Sequence, residues 1–261
     1  RSVVEEHLKK LKLRERRYEI DQLMKVKRSE EMEALEEVFD KQTLMTIYKM
    51  LNKGLIARIF GVVKAGKEAR IYWAKGQGGE DIAAKIYLTS TSEFRKGRLK
   101  YIEGDPRFKA VKRSTRALVS LWAQKEFKNL ELAHSVGVRV PKPIHVEGNV
   151  LLMEFIGDGG VPAPLLKDVS LRAPMSIYKK IIAYMRALYR DAGLVHGDMS
   201  EYNVMMWKGE PIIFDLSQAV PKEHPMSESF LRRDVFVLNN YFRRAYLLKL
   251  DDEGIFKRIV I

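Results

Sequence analysis

The chain has 261 residues, of which 46% are hydrophobic, so it can bury a sizeable core as one large domain or two lobes. It contains no cysteine, which excludes disulfides, thiolate metal centres and cysteine nucleophiles. No apolar run reaches the length a bilayer demands and no signal-peptide pattern opens the sequence. With no evident nuclear-type tail, a cytoplasmic setting is expected. The formal charge of +13 points toward a polyanionic neighbour such as nucleotide or nucleic acid, although a merely soluble basic protein would carry it too.

Residues Ser2 to Glu37 are highly charged and free of Gly and Pro. Leu8, Leu11, Tyr18, Leu23, Met32 and Leu35 fall loosely at helical spacing. One or two helices packed on the main body are expected, with a solvated face favoured over an RNA-binding arm. Asp40 is placed to cap a helix running through Asn52, with Gly54 as its stop. Leu55–Val63, Arg70–Ala74 and Ile82–Tyr87 read as strands, with a turn at Gly76, Gly78 and Gly79. Arg116–Val136 reads as a long amphipathic helix with Leu118, Leu121, Trp122, Leu132 and Val136 inward and Gly137 at its end. Val150–Phe155 is a buried strand. Ser176–Asp191 is a helix whose Ile177, Ile181, Met185 and Leu188 share one face. Short strands follow near Val204–Met206 and Ile212–Phe214, and Ser227–Leu248 closes the chain as a helix. Strands precede helices, so the expected class is α+β with two lobes joined near Glu154–Gly157.

The chemistry concentrates in Leu194–Val220. This run holds His196, Asp198, Asn203 and Asp215 in the order H-x-D, Asn five residues after the Asp, and a second Asp closing an apolar stretch. Protein kinases carry their catalytic loop and metal-binding Asp in that order. Asp198 is the candidate to orient or deprotonate an attacking hydroxyl. Asn203 and Asp215 offer hard oxygen donors suited to Mg²⁺. His196 is read as a hydrogen-bonded core residue with no chemical role. Lys85, in IAAKIY, would be costly to bury alone. It lies either at a strand edge or bridging nucleotide phosphates, with Glu126 in WAQKEFKNL as its partner. Val63–Ala69 is a candidate phosphate-covering turn in which Gly66 amides and the Lys67 side chain could face phosphate. It matches neither G-x-G-x-x-G nor a Walker motif.

AGKEARIY, AAKIY, FRKGRLKYIEGDPRF, WAQKEFKNL, LVHGDMSEYNV, FDLSQAV and HPMSESFLRRDV, in this order, resemble the RIO family of atypical serine/threonine protein kinases, most closely its type-one branch. The resemblance covers roughly Leu55 to the C-terminus. It implies a bilobal kinase-like fold with a trimmed C-lobe and extra N-terminal helices, divided as 1–54, 55–156 and 157–261. It implies ATP with Mg²⁺ (or Mn²⁺), and it carries the family's roles onto Lys85, Glu126, Asp198, Asn203 and Asp215. Met153 resembles the gatekeeper, and Glu154 and Ile156 would offer backbone groups to adenine. The family further implies ATP turnover tied to maturation of the small ribosomal subunit, with the subunit precursor and its rRNA as partners and Asp215 as a candidate phosphate acceptor.

Departures from ordinary kinases are clear. HGD replaces HRD, DLS replaces DFG, and no APE segment follows, which puts efficient phosphorylation of protein substrates in doubt. The basic segment Thr89–Arg116 suits RNA, a partner or nucleotide as well as plain solvent. Ser114 and Thr115 within it are candidates for autophosphorylation. The alternative reading is a nucleotide-responsive RNA or pre-ribosome binding module. A small-molecule kinase also shares H-x-D-x4-N, but the DLSQ and WAQKE contexts speak against it.

Overall fold

A computed structural model describes residues 30–89, 98, 101–108 and 114–261. The fold is α+β, and its organising element is a five-stranded antiparallel sheet of order β1-β2-β3-β5-β4. The strands are β1 (Arg58–Ala65), β2 (Ala69–Lys75), β3 (Asp81–Tyr87), β4 (Pro143–Glu147) and β5 (Val150–Glu154). Successive side chains of a strand point to opposite faces. In central β3, Ile82, Ala84 and Ile86 enter one buried cluster, whereas Ala83 and Tyr87 enter another. β5 divides likewise, Val150 and Leu152 to one side and Leu151 and Met153 to the other. Burial on both faces explains why these strands read as continuous apolar runs.

Helices α1 (Glu30–Val38) and α2 (Lys41–Asn52) cover the first face with Met32, Leu35, Phe39, Ile47, Met50 and Leu51. The rest of the expected N-terminal helical region, with Leu8, Leu11, Tyr18 and Leu23, lies outside the described residues. α2 starts where Asp40 accepts the Gln42 and Thr43 N–H groups, both at 3.0 Å. It ends in a Schellman motif: Leu55 N–H bonds Met50 C=O and Gly54 N–H bonds Leu51 C=O, with Gly54 at φ +72°. Leu55 is thereby spent on closing a helix, so β1 begins at Arg58 and not at Leu55.

Against the second face of the sheet packs α3 (Thr115–Ser135), through buried Leu118, Val119, Trp122 and Ala123. Leu132, expected inward, is 38% exposed at the last turns of that helix. The linker after α3 leads into β4, a strand beyond those the sequence pattern marks. Pro143 is the first residue of an edge strand, a position where its missing N–H breaks no ladder bond.

The remaining chain is helical, with α4 (Pro174–Arg190), α5 (Ser227–Tyr246) and α6 (Asp252–Val260). α4 buries Ile177, Ile181, Met185 and Leu188 as its spacing demands. α5 does not close the chain. It stops at Leu247, a non-glycine residue at φ +55°, and Asp251 then caps α6 through the Glu253 and Gly254 N–H groups. Neither event leaves a Gly or Pro signal at the break. Short paired segments lie between α4 and α5. These are β8 (Leu194–Val195) with β11 (Val220–Pro221), and the hairpin β9 (Val204–Trp207) with β10 (Glu210–Ile213). β6 (Gly157–Asp158) and β7 (Val161–Pro162) form a small hairpin after β5. No helix among the described residues is long and apolar enough to cross a membrane.

Asp40 does more than cap α2. It also accepts from Thr89 Oγ1 at 2.8 Å and pairs with Arg116 at 2.6 Å, tying α2 to both ends of the basic segment. Burial disfavours its charge, but the bonds from Arg116, Thr43 and Thr89 prevail and hold its carboxyl well below the usual range. Asp40→Ala is expected to lower the unfolding free energy by about 1 kcal/mol, or about 2–4 °C in melting temperature for a chain of this size. The folded-state value is the depressed one, so this contribution is present above about pH 4 and lost on acidification. Calorimetry at pH 7 and pH 3 should show the difference from wild type shrinking.

Candidate active site

The second face of the sheet carries the charged centre. Lys85 and Tyr87 sit two residues apart on β3, so both side chains face α3. Lys85 Nζ lies 2.9 Å from Glu126 Oε2 and 3.2 Å from Asp215 Oδ1. The Tyr87 hydroxyl donates to Glu126 Oε2. Burial alone would discharge Lys85, but Asp215 and Glu126 reverse this and raise its pKa well above the ordinary value. Burial raises Glu126, with Lys85 opposing. Burial also opposes ionisation of Asp215, yet Lys85 and the Ser217 hydroxyl (2.7 Å) outweigh it and hold that carboxyl well below its usual range. Lys85 therefore lies in the middle of the sheet, paired with Glu126, and not at a strand edge.

Asn203 and Asp215 are twelve positions apart but meet at the mouth of the β9–β10 hairpin. Its turn is Lys208-Gly209, both at positive φ (50° and 78°), as a two-residue I′ connection requires. The register pairs Val204 with Ile213, and Phe214 N–H continues the ladder to Asn203 C=O at 3.1 Å. The Asn203 amide nitrogen donates to Asp198 C=O (2.8 Å) and Asp198 Oδ2 (3.1 Å), leaving its Oδ1 as the open end. Asp215 Oδ1 takes Lys85 and Ser217, and no donor among the described residues reaches Oδ2. An amide oxygen and a carboxylate oxygen are hard donors. Together they fit Mg²⁺, which keeps waters and substrate phosphates in most of its coordination sphere.

The loop bearing Asp198 is braced from beneath. His196 Nδ1 accepts the Asp198 N–H at 3.2 Å, so Nε2 carries the proton toward Phe214 C=O at 3.1 Å. His196 is thus a buried structural residue. Gly197 stands at φ +79°, with Gln218 C=O 3.1 Å from where a Cβ would lie, which explains the Gly in HGD. Buried Asp234 of α5 accepts Gly197 N–H at 2.7 Å and Met199 N–H at 3.0 Å. Burial raises the Asp198 carboxyl; His196 lowers it and the Asp215 charge adds to the rise.

Beside this centre is a cavity of about 340 Å³ lined by Val63, Ile71, Ala83, Met153, Ile156 and Phe214. It adjoins one of about 330 Å³ reaching Gly66, Lys67, Lys85, Glu126 and Asp215. Gly66 and Lys67 form the β1–β2 turn above the charges, with Gly66 N–H bonded to Ala69 C=O at 3.0 Å. Met153 lies where the two cavities meet. The Glu154 carboxylate is committed to Arg139 (two bonds of 2.8 Å), its N–H to Lys142 C=O, and Ile156 C=O to Ala163 N–H. Ser114 is remote in role: its exposed hydroxyl caps α3 by accepting Ala117 N–H at 3.2 Å. In the basic segment, Arg95, Lys96, Lys100, Lys109, Lys112 and Arg113 lie outside the described residues. Arg98 is described: its Nε donates to Glu68 Oε1 at 3.1 Å and its guanidinium lies 5.1 Å from the Trp122 ring.

A family model for the RIO domain matches residues 70–255, most of the chain. The chain belongs to the RIO family. Among its relatives, the RIO-type serine/threonine-protein kinase Rio1 of Haloferax volcanii is 48% identical over 171 residues, covering 66% of this chain and 58% of that one. The human serine/threonine-protein kinase RIO1 is 42% identical over 177 residues, covering 66% of this chain and 31% of that one. The chain thus spans well under two thirds of these relatives' length. Such names place it on the type-one branch. The solved Rio2 kinase of Chaetomium thermophilum aligns with a TM-score of 0.66 at 24% identity, over 82% of this chain and 65% of that one. The Rio2 kinase-ADP/Mg²⁺-phosphoaspartate complex from the same organism gives 0.64 at 22%, over 83% and 66%. At those identities the likeness concerns the kinase-like fold.

Tyr87, Ser217 and Asp234 were absent from the sequence reading of this RIO site. Tyr87 and Ser217 were within reach, each two positions from a chosen residue. Asp234 has no local signal. Burial pushes its carboxyl up to about 6, against His196 and the two amides that lower it. Its folded value lies above the unfolded one, so the native state holds the extra proton between about pH 4 and 6. Stability from this group therefore falls as pH rises through that window. Urea unfolding of wild type and Asp234→Asn at pH 4.5 and 7 should show the wild type losing on the order of 2 kcal/mol relative to the variant.

Proposed function

We propose that the chain is an ATP-dependent serine/threonine protein kinase and ATPase of the RIO type, acting in the cytoplasm on maturation of the small ribosomal subunit. The observation that carries this reading is the pairing of buried Lys85 and Glu126 with the half-exposed carboxylate of Asp215, beside Asp198 and Asn203 at one cleft. The relatives' names support the kinase activity, and the neighbour solved with ADP, Mg²⁺ and phosphoaspartate supports the nucleotide and metal. The nucleotide would lie between the sheet-bearing part, 55–156, and the helical part, 157–261. Adenine would fill the apolar cavity beside Met153, meeting Glu154 C=O and Ile156 N–H. Lys85 would bridge phosphates, held in place by Glu126, while Gly66 and Lys67 cover them. A Mg²⁺ or Mn²⁺ ion at Asn203 and Asp215 would neutralise developing phosphate charge.

In the kinase reaction Asp198 orients the acceptor hydroxyl and takes its proton, and ADP leaves as the O–P bond forms. Ser114 or Thr115 would be the acceptor in autophosphorylation. In the ATPase reaction an Asp215 carboxylate oxygen attacks the γ-phosphorus and ADP leaves. Water then hydrolyses the acyl phosphate to inorganic phosphate and the carboxylate. The shortness of the path from Asp215 to α5 favours a second reading. A single 3₁₀ turn and β11 occupy it, leaving little room for a peptide platform. On that reading the chain is a nucleotide-responsive module for RNA or a pre-ribosome.

Incubation with γ-labelled ATP and Mg²⁺ tests both. Wild type is expected to release phosphate and carry label, with Asp198→Ala and Asp215→Asn each reducing turnover by at least about a hundredfold. Hydroxylamine-labile label would identify the acyl phosphate and stable label a Ser or Thr product. A folded wild type that binds ATP with neither turnover nor label would defeat the enzyme reading in favour of the binding module.

A further inference from the structure

Asp215 stands in the left-handed region, at φ 58° and ψ 64°, where a non-glycine residue needs outside support. The 3₁₀ turn behind it, Leu216–Gln218, is gripped by two side chains of α3. Fully buried Lys125 donates from Nζ to Ser217 C=O at 2.9 Å and to Ala219 C=O. Fully buried Asn129, one helical turn on, donates from Nδ2 to Leu216 C=O at 2.8 Å and Ala219 C=O at 3.0 Å. Its Oδ1 accepts Arg107 Nη1 at 2.8 Å, and Arg107 is locked to buried Asp105 at 2.7 Å. Asn129 thus has its oxygen and nitrogen assigned, and its amide is held in one orientation.

Lys125 forms no ion pair with a carboxylate among the described residues. Burial lowers the pKa of the Lys125 ammonium to about 7, and an apolar residue would pack the same place more cheaply. What it supplies, together with Asn129, is four donor contacts that turn three successive-turn carbonyls toward α3. Glu126, its neighbour on the same helix, holds Lys85. One helix therefore fixes both partners of the 3.2 Å Lys85–Asp215 contact.

We propose that Lys125 and Asn129 are positioning residues that set the orientation of the Asp215 carboxylate and so the affinity of the site for a divalent cation beside nucleotide. The proposal rests on the reading above that Asp215 and Asn203 hold the metal. Outer-shell partners of this kind typically govern metal affinity by about 10–100-fold. They should leave the apolar base cavity untouched.

The test measures Mn²⁺ binding to the full chain by electron paramagnetic resonance in the presence of saturating ADP, and metal-free ADP binding by calorimetry. Asn129→Leu and Lys125→Met are expected to weaken Mn²⁺ by about tenfold or more, with metal-free ADP affinity unchanged within about twofold. Arg107 is partly exposed, so Arg107→Leu keeps both α3 donors and frees only the amide orientation. It serves if the buried variants fail to fold, and a loss of roughly threefold in Mn²⁺ affinity is expected for it. Folded variants with wild-type Mn²⁺ affinity would overturn the proposal. So would an equal fall in metal-free ADP binding, which a merely structural role predicts. A wild type that binds ADP but no Mn²⁺ beside it would overturn the metal-site reading itself, an outcome distinct from variants that bind as wild type does.

Discussion

The interaction on which the structure depends is the buried ammonium of Lys85 between the carboxylates of Glu126 and Asp215. Removing a partner from such a cluster leaves an uncompensated buried charge, a loss of about 3–5 kcal/mol. Three distant pieces of chain, the middle of β3, the middle of α3 and the turn after β10, must therefore arrive together. Asp198 and the Arg98 guanidinium share the field of this cluster, so its carboxylates are balanced by more than one cation.

The two-faced sheet makes this arrangement possible. α1 and α2 seal one face with an apolar cluster, so the other is free to hold charge. Their seal reaches the site through a short chain of contacts. Asn149, at the β4–β5 turn, donates to Thr43 of α2 at 3.0 Å and to Tyr87 C=O at 2.7 Å. Tyr87 in turn holds Glu126. The N-terminal helices are thereby part of what keeps β3 in register with α3, beyond their contribution to the core.

What could be read from the sequence was whatever is written locally. Asp40 and Gly54 bound α2 because caps act within a few residues. Asp198, Asn203 and Asp215 were legible because a loop and a hairpin bring them together over a short span. Lys85 was legible because a lysine in an apolar strand demands a partner. The unread features share the opposite property. Leu247 ends α5 with no glycine, since tertiary contacts such as Arg243 with Asp252 (2.5 Å) hold the bend. Asp234 acts on a loop thirty-five residues upstream, and Lys125 on carbonyls more than ninety residues away. Backbone carbonyls and amides carry no sequence signature, so side chains that serve them look like ordinary buried or helical residues.

Those backbone-directed contacts also account for the departures from ordinary kinases. An arginine beside the catalytic Asp lets a phosphorylated segment order the loop. Here Gly197 takes that place, and the loop is ordered by α5: Asp234 receives two of its amides and Arg233 donates to Gly197 C=O. On the other side α3 grips the turn after Asp215. Both loops are thus tied to helices of the hydrophobic core through groups that form on folding. The loops are positioned by contacts within the fold, and only a short segment, a 3₁₀ turn and β11, separates Asp215 from α5.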